Sequence, residues 1–464
     1  MWCLVIVVPR QHLGVGSMDT GSDGIARRDS VSDPLGPFEA VRQLHYDAPF
    51  PSLLPVRQRF EAPAVKDVAA ATMAALEPVR SRVSAGMRVA ITVGSRGIAD
   101  KPAVVRAAGQ WLRSTGAEPF AVAAMGSHGG ATEAGQLQVL TDLGMTEQSL
   151  GMPILATMET VNLGPVPGGP TAHLDRHAHD ADAILLVNRV KAHTDFNADI
   201  ESGLAKILAV GLGKQRGAEG IHAYGPANLG RWIPRVARRI IDHAPVLGGL
   251  AIVENAYDRA ARIAFVEPDG VGAEAETALL GEARRMMATL PFDDIDVAVV
   301  QAIGKDKSGT GLDTNVVGRM MIRGTAEFER PRITNIVALE VSKASHGNAL
   351  GVGLADFIPL RLLEGMDLRT MYVNAMTSGL GGPQRCQIPM AMPTDRDAIA
   401  AAILTCGRPA PDVRVVQMRN TLELEHLLVS ESLRAEVERD PRLELLGDPS
   451  PMAFDTRGRL ETWL

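Results

Sequence analysis

Residues 191–224 read KAHTDFNADIESGLAKILAVGLGKQRGAEGIHAY and carry His193, then Lys206 thirteen residues later, then His222 sixteen beyond that. An imidazole moves protons near neutral pH, and a lysine amine is either a compact cation or, once neutral, a nucleophile. Lysine is scarce in this chain. Of 47 basic residues only eight are Lys, at positions 66, 101, 191, 206, 214, 305, 307 and 343. Five of these fall in two glycine-rich stretches, the one above and Gly304-Lys-Asp-Lys-Ser-Gly-Thr-Gly311. Amines among glycines suit an anion such as a carboxylate or phosphate, although the same residues also read as solvated loop charges. Gly211-Leu-Gly213 fails as a dinucleotide fingerprint because the third glycine is misplaced, and a Walker A loop is absent.

The elements that position these residues alternate short β-branched runs with alanine-rich helical segments. Strands are expected over 88–93, 119–125, 183–188, 247–254 and 262–267, with helices over 101–114, from about 132, near 201–209 and over 272–289. A second set places strands at 296–302, 333–341 and 369–374, helices after 356 and over 396–406, then a strand at 413–418 and a helix after 421. This alternation argues for βαβ units, hence an α/β fold of two domains with mostly parallel sheets and a ligand cleft between them. The expected division is a disordered or poorly ordered leader over 1–43, with Met18 or a later residue as the useful start, and an N-terminal catalytic and cofactor-binding domain over 44–290. A C-terminal domain follows over 291–410, and a strand/helix segment over 411–464 could pack back on the N-terminal domain. Residues 164–182 read as an irregular surface excursion, and His173, His177 and His179 within it read as surface residues.

Arg96 in Gly94-Ser-Arg-Gly97, His128 in Gly126-Ser-His-Gly-Gly130 and His193 each follow an expected strand. Ligands collect at the carboxyl ends of parallel strands, so equivalent placement in three βα units points to one shared site. Two imidazoles facing one ligand suit general acid–base work, and an Arg suits bidentate carboxylate binding. Taken singly, a loop His is more often a surface or hydrogen-bonding residue and a lone Arg a solvated charge; the repeated placement brings the shared-site reading level with that one.

Composition narrows the classes. The 464 residues are 46% hydrophobic, 22% charged and 4% aromatic, with a net charge of -7, which disfavours a nucleic-acid binder working through a broad basic face. No apolar run reaches the length of a membrane span. Cys3, Cys386 and Cys406 are too few for a four-thiolate metal site or a disulfide framework. A cytoplasmic protein is expected.

The order Arg96, His128, His193, Lys206, His222, with GSHGGATE around His128 and Gly203-Leu-Ala-Lys206-Ile-Leu-Ala-Val-Gly211, resembles the nickel-dependent lactate racemase family and its 2-hydroxy-acid racemase and epimerase relatives. Residues 50–230 carry the resemblance well and the remainder loosely. It implies a nickel-dependent isomerase that racemises or epimerises a small 2-hydroxy acid by hydride transfer to and from a nickel-pincer nucleotide (pyridinium-3,5-bisthiocarboxylic acid mononucleotide with nickel), made by upstream cofactor-biosynthesis enzymes. On that basis Lys206 binds the cofactor, His222 ligates nickel, His128 and His193 act as general acid and base, and Arg96 holds substrate.

Two departures stand out. Family members carry an Asp three residues before the Arg, where this chain has Val93. Gly311-Leu-Asp-Thr-Asn315 matches a second-domain segment, but Val317, Gly318 and Met321 stand where the family's Tyr-Gln and Lys follow. Arg319, Lys305 and Lys307 are the candidate replacements for substrate binding, with His346 and residues 377–382 as further cleft candidates. The substrate is therefore expected to be a different hydroxy acid from lactate. The alternatives are a simple divalent-metal-dependent hydrolase or lyase using His128, His193 and His222, or a catalytically inactive cofactor-binding homologue.

Overall fold

In the computed structural model, which describes residues 38–463 apart from 96, 378 and 411, two sheets organise the chain. The smaller has six strands in the order Ile154–Leu155, Glu118–Ala123, Arg88–Val93, Ala183–Arg189, Val246–Glu254 and Ala260–Val266, all parallel except the last. Its central strands are buried on both sides, which is why they read as continuous apolar runs. Alternate side chains serve two cores. Ala90, Val122, Leu186 and Ala251 pack on one face, and Val89, Ala121, Leu185 and Leu250 on the other.

The larger sheet has nine strands. Met390–Met392, Phe357–Pro359, Arg332–Val341, Asp294–Ile303 and Val415–Met418 run parallel, and the chain then reverses into His426–Ser430. Ser52–Gln58 pairs antiparallel with His426–Ser430 and with the short terminal strands Leu443–Leu445 and Ser450–Pro451. The α/β class is thus present, and the strands expected over 88–93, 119–125, 183–188, 247–254, 262–267, 296–302, 333–341 and 413–418 form within a few residues of those bounds. Residues 411–464 join the larger sheet instead of returning to the smaller one, and Ser52–Gln58 crosses over to lie among them. Most of the leader, residues 1–37, lies outside the described residues.

Three local expectations are overturned. Residues expected as a strand at 369–374 form helix Leu368–Thr377, because Asp367 caps it by accepting from the Thr370 amide at 3.0 Å, which outweighs the strand preference of Tyr372 and Val373. The helix expected after 421 is instead strand His426–Ser430, whose leucines are buried between two neighbouring strands. The excursion at 164–182 is an antiparallel hairpin of Thr160–Pro165 with Thr171–Asp175, followed by a single helical turn Arg176–His179. Among the described residues no helix is long and apolar enough to cross a membrane.

That hairpin has a structural task. Lys214, fully buried, extends its Nζ to the equally buried Asp175 carboxylate at 3.1 Å, to Gln136 Oε1 at 3.0 Å and to the Ala123 carbonyl. Gln136 donates in turn to the Gly126 carbonyl at 2.9 Å and the His128 carbonyl at 3.4 Å. One buried amine therefore joins the hairpin, the end of strand Glu118–Ala123 and the loop bearing His128. Removing one partner of such a pair leaves a charge stranded in low dielectric. Lys214→Ala should lower the unfolding free energy by about 3–5 kcal/mol, measured by urea denaturation. A loss near zero would contradict this bracing role.

Candidate functional site

The carboxyl ends of the parallel strands in both sheets open onto one cleft of about 610 Å³. From the smaller sheet it is lined by Gly94, Ser95, Met125 and His128, by residues 188, 189 and 191–194, and by Glu254. From the larger sheet come the loop after Asp294–Ile303, with Lys305 and Lys307, and Asp313 and Leu422. The cleft lies where loops leave a crevice beyond parallel strands, as expected of an open α/β sheet.

His128 rides on a turn that only glycine can make. Gly126, Gly129 and Gly130 all have positive φ, and a Cβ on Gly129 would lie 2.5 Å from the Gln136 amide nitrogen. Its Nδ1 lies 2.7 Å from Ser95 Oγ, so the loop after Arg88–Val93 orients the ring. Arg96 lies outside the described residues, but its neighbours Ser95 and Gly97 both line the cleft.

His193 is held from several directions. Its amide donates to the buried Glu201 carboxylate at 2.5 Å, and its Nδ1 accepts from the Asp195 amide at 3.0 Å. Phe196 packs against the ring at 4.6 Å between centroids. From the larger sheet, Asn315 donates to the His193 carbonyl at 3.2 Å and Thr314 to the Thr194 carbonyl at 3.0 Å. The buried Arg385 donates to the Thr194 carbonyl at 2.8 Å and pairs with Asp195. The Asp-Thr-Asn segment at 313–315 therefore grips the loop that presents His193. Burial alone would raise the Asp195 pKa, yet the charges of His193 and Arg385 outweigh it and hold the carboxyl below its usual range. Desolvation pushes Glu201 upward despite two amide donors and Arg284.

Lys206 ends the short helix Leu204–Lys206, which passes into a π-turn over Ile207–Gly211. Such widened turns recur at functional sites because they re-aim side chains. Helix entry is fixed by the buried Glu276, whose carboxylate accepts from the amides of Ala205 at 3.2 Å and Gly272 at 2.8 Å. Lys206 Nζ lies in hydrogen-bond contact with His193 Nε2. His222, at the end of helix Lys214–His222, directs Nδ1 to the Ala218 carbonyl at 2.7 Å. With that nitrogen donating, Nε2 keeps its lone pair and can serve a metal. His222 does not line the cleft, yet desolvation, then the charge of Lys206, keep its pKa below the ordinary imidazole value.

On the opposite wall Lys305 donates to the Gly309 carbonyl at 2.6 Å, and Lys307 lies 3.4 Å from Asp306 and 3.7 Å from Glu423. Arg319 is not a wall residue. Its guanidinium pairs with Asp356 at 2.7 Å and donates to the carbonyls of Leu354, Ile333 and Thr334, so it knits the larger sheet together instead of reaching substrate. His346 and the described residues of 377–382 also stand outside the cleft lining. His173 contacts Thr160 within the hairpin, and among the described residues no group of three or more His, Cys, Asp or Glu side chains is arranged to hold a metal ion.

Beneath Gly94 lies Lys101, 1% exposed, donating to the Gly94 carbonyl at 3.1 Å. Lysine scarcity could have flagged it, whereas nothing in the sequence distinguishes Arg385 from the other arginines. Burial, reinforced by the nearby Arg189 charge, lowers the Lys101 pKa from 10.5 to about 7. Between those values the unfolded chain binds the extra proton, so this destabilising contribution is full below about pH 7 and vanishes above the unfolded pKa. Relative to wild type, Lys101→Met should therefore gain about 2–4 kcal/mol of unfolding free energy on going from about pH 10 to about pH 7. A difference independent of pH in denaturant titrations would rule this out.

No protein-family model matches the chain, and no curated protein matches it in sequence. Among solved structures, the lactate racemase apoprotein from Thermoanaerobacterium thermosaccharolyticum aligns at 11% identity with a TM-score of 0.40, over 62% of this chain and 74% of that one.

Proposed function

We propose that the chain is an isomerase that racemises or epimerises a 2-hydroxy acid with a nickel-pincer nucleotide in the cleft. The observation that carries this reading is convergence: His128, His193 and Lys206, from separate segments, line one cavity, and His222 stands within electrostatic reach of Lys206. The donor chemistry fits the group. Lys206 offers an amine to anchor it, and His222 Nε2 offers one imidazole lone pair to nickel. Soft sulfur donors would come from the nucleotide, since Cys386 and Cys406 are buried and neither lines the cleft. When bound, the group supplies reversible two-electron oxidation at the substrate carbon.

The chain's own residues do the rest. His128 and His193 exchange the hydroxyl proton on the two faces of a planar 2-keto species. Ser95 orients the first ring, and the Asp195 amide with Lys206 orients the second. A proton on His193 is stabilised by the Asp195 carboxylate, 3.8 Å from Nδ1 and itself anchored by Arg385. Arg96, Lys305 and Lys307 receive the substrate carboxylate. The simple-ion alternative is less well supported, because the described residues offer no three-ligand set.

Protein co-produced with the cofactor-biosynthesis enzymes should contain nickel and the nucleotide mass by metal analysis and intact mass spectrometry. Correctly folded protein lacking both would overturn the proposal. Lys206→Ala should lose cofactor retention, whereas His128→Ala should keep it and lose turnover by about 10²–10⁴-fold. Equal loss of retention in both variants would contradict the separate roles.

A further inference from the structure

We infer that the protein pairs with a second copy of itself through the outer face of helix Leu368–Thr377 and the segment that follows it. Of fourteen large apolar side chains that stand exposed among the described residues, seven fall between 368 and 390. Leu368, Tyr372 and Met376 recur every fourth residue along the helix, so they share one face, and Val373 lies beside them. Met376 is 78% exposed. The inner face is already occupied, with Met371 and Ala375 buried in the core of the larger sheet. A helix that is apolar on both faces is one that is covered on both.

The patch runs on past the helix. Gly382 abuts it so closely that a Cβ there would overlap the Ala375 carbonyl, which keeps the exposed Leu380 at the helix end. The Cys386 thiol reaches the Met371 carbonyl at 3.9 Å, and that contact brings the chain carrying Ile388 back along the helix. Met390 then opens strand Met390–Met392, the last in the larger sheet, which pairs with Phe357–Pro359 and has no described strand on its outer side. The turn Val41–Gln43 comes near this strand, yet it forms no ladder with it and buries none of its own residues.

Size and charge select the occupant. The seven side chains expose on the order of 700 Å², more than a lone monomer commonly shows in one patch and close to the roughly 800 Å² that each partner gives a standard-size interface. Between 370 and 394 the one charged residue is Arg385, which is buried and paired with Asp195. Two copies of this face therefore meet without repulsion, although the whole chain carries a net charge of -7. A two-fold contact needs that self-complementarity. An unpaired strand edge is matched by another strand edge, which a lipid surface does not provide. Because the helix backs the turn Gly382–Arg385, pairing braces the residue that grips the His193 loop. The inference needs neither nickel nor a nucleotide and stands apart from the proposed function.

In sedimentation velocity, full-length protein at about 10 µM should run at twice the chain mass of 49.4 kDa, since standard-size interfaces hold in the micromolar range or tighter. The double change Tyr372→Glu, Met376→Glu alters two side chains already in water, so the fold should persist by circular dichroism. It places like charges across the interface and should weaken the dimer by about 100-fold or more, leaving a monomer. Leu137→Glu, at an exposed position of helix Glu133–Asp142 beside the smaller sheet, should remain a dimer. In hydrogen exchange, amides of 368–390 should be protected in the wild type and lose that protection in the double variant. A wild-type monomer at that concentration would overturn the inference, and one that co-sediments with phosphatidylglycerol vesicles would assign the patch to a membrane instead. A dimer that survives the double change would also overturn it. So would protection of 368–390 that the monomeric variant keeps in full, which would assign the cover to another part of the chain.

Discussion

The grip on the His193 loop is the constraint on which the rest of the site depends. That loop leaves the smaller sheet, yet Arg385, Asn315 and Thr314 of the larger-sheet portion hold its carbonyls and its Asp195 carboxylate. Glu201 secures the same loop from its own side through the His193 and Ala198 amides. A ring held at both ends keeps one direction, with Nε2 turned to the Lys206 amine. Proton transfer requires that preorganisation.

Buried cations form a second layer. Lys214 and Lys101 are among the largest fully buried side chains, and each reaches a carbonyl at the carboxyl end of a strand whose following loop lines the cleft. The Lys214 amine is matched by Asp175 and Gln136, which favours a rigid brace under His128. The Lys101 amine has Gly94 as its acceptor and Arg189 as a neighbouring like charge. It is therefore held near the point of losing its proton. Both cost desolvation energy, and in both the loop they support carries a residue of the proposed chemistry.

Much of the fold was legible. Continuous apolar strands followed by glycine turns marked the parallel sheets, because strands covered on both faces need apolar side chains throughout. Where long-range pairing decided the outcome, local pattern failed. The leucines of His426–Ser430 suit a helix until strands on both sides claim their backbone groups. Tyr372 and Val373 suit a strand until Asp367 caps a helix.

For the site, residue type and spacing determined which side chains have the chemistry. Two histidines, a scarce lysine and a third histidine are informative in one dimension because few residues transfer protons, attack carbons or bind metal. Tertiary structure alone decided who stands beside whom. It placed His193 on Lys206 and withdrew Arg319 into the sheet, where backbone carbonyls and Asp356 take up its donors. It also revealed Arg385, one arginine among 39, as the residue that fixes the loop. A guanidinium serves equally well on a surface, in a clamp or on a substrate, and only its burial and partners tell these apart.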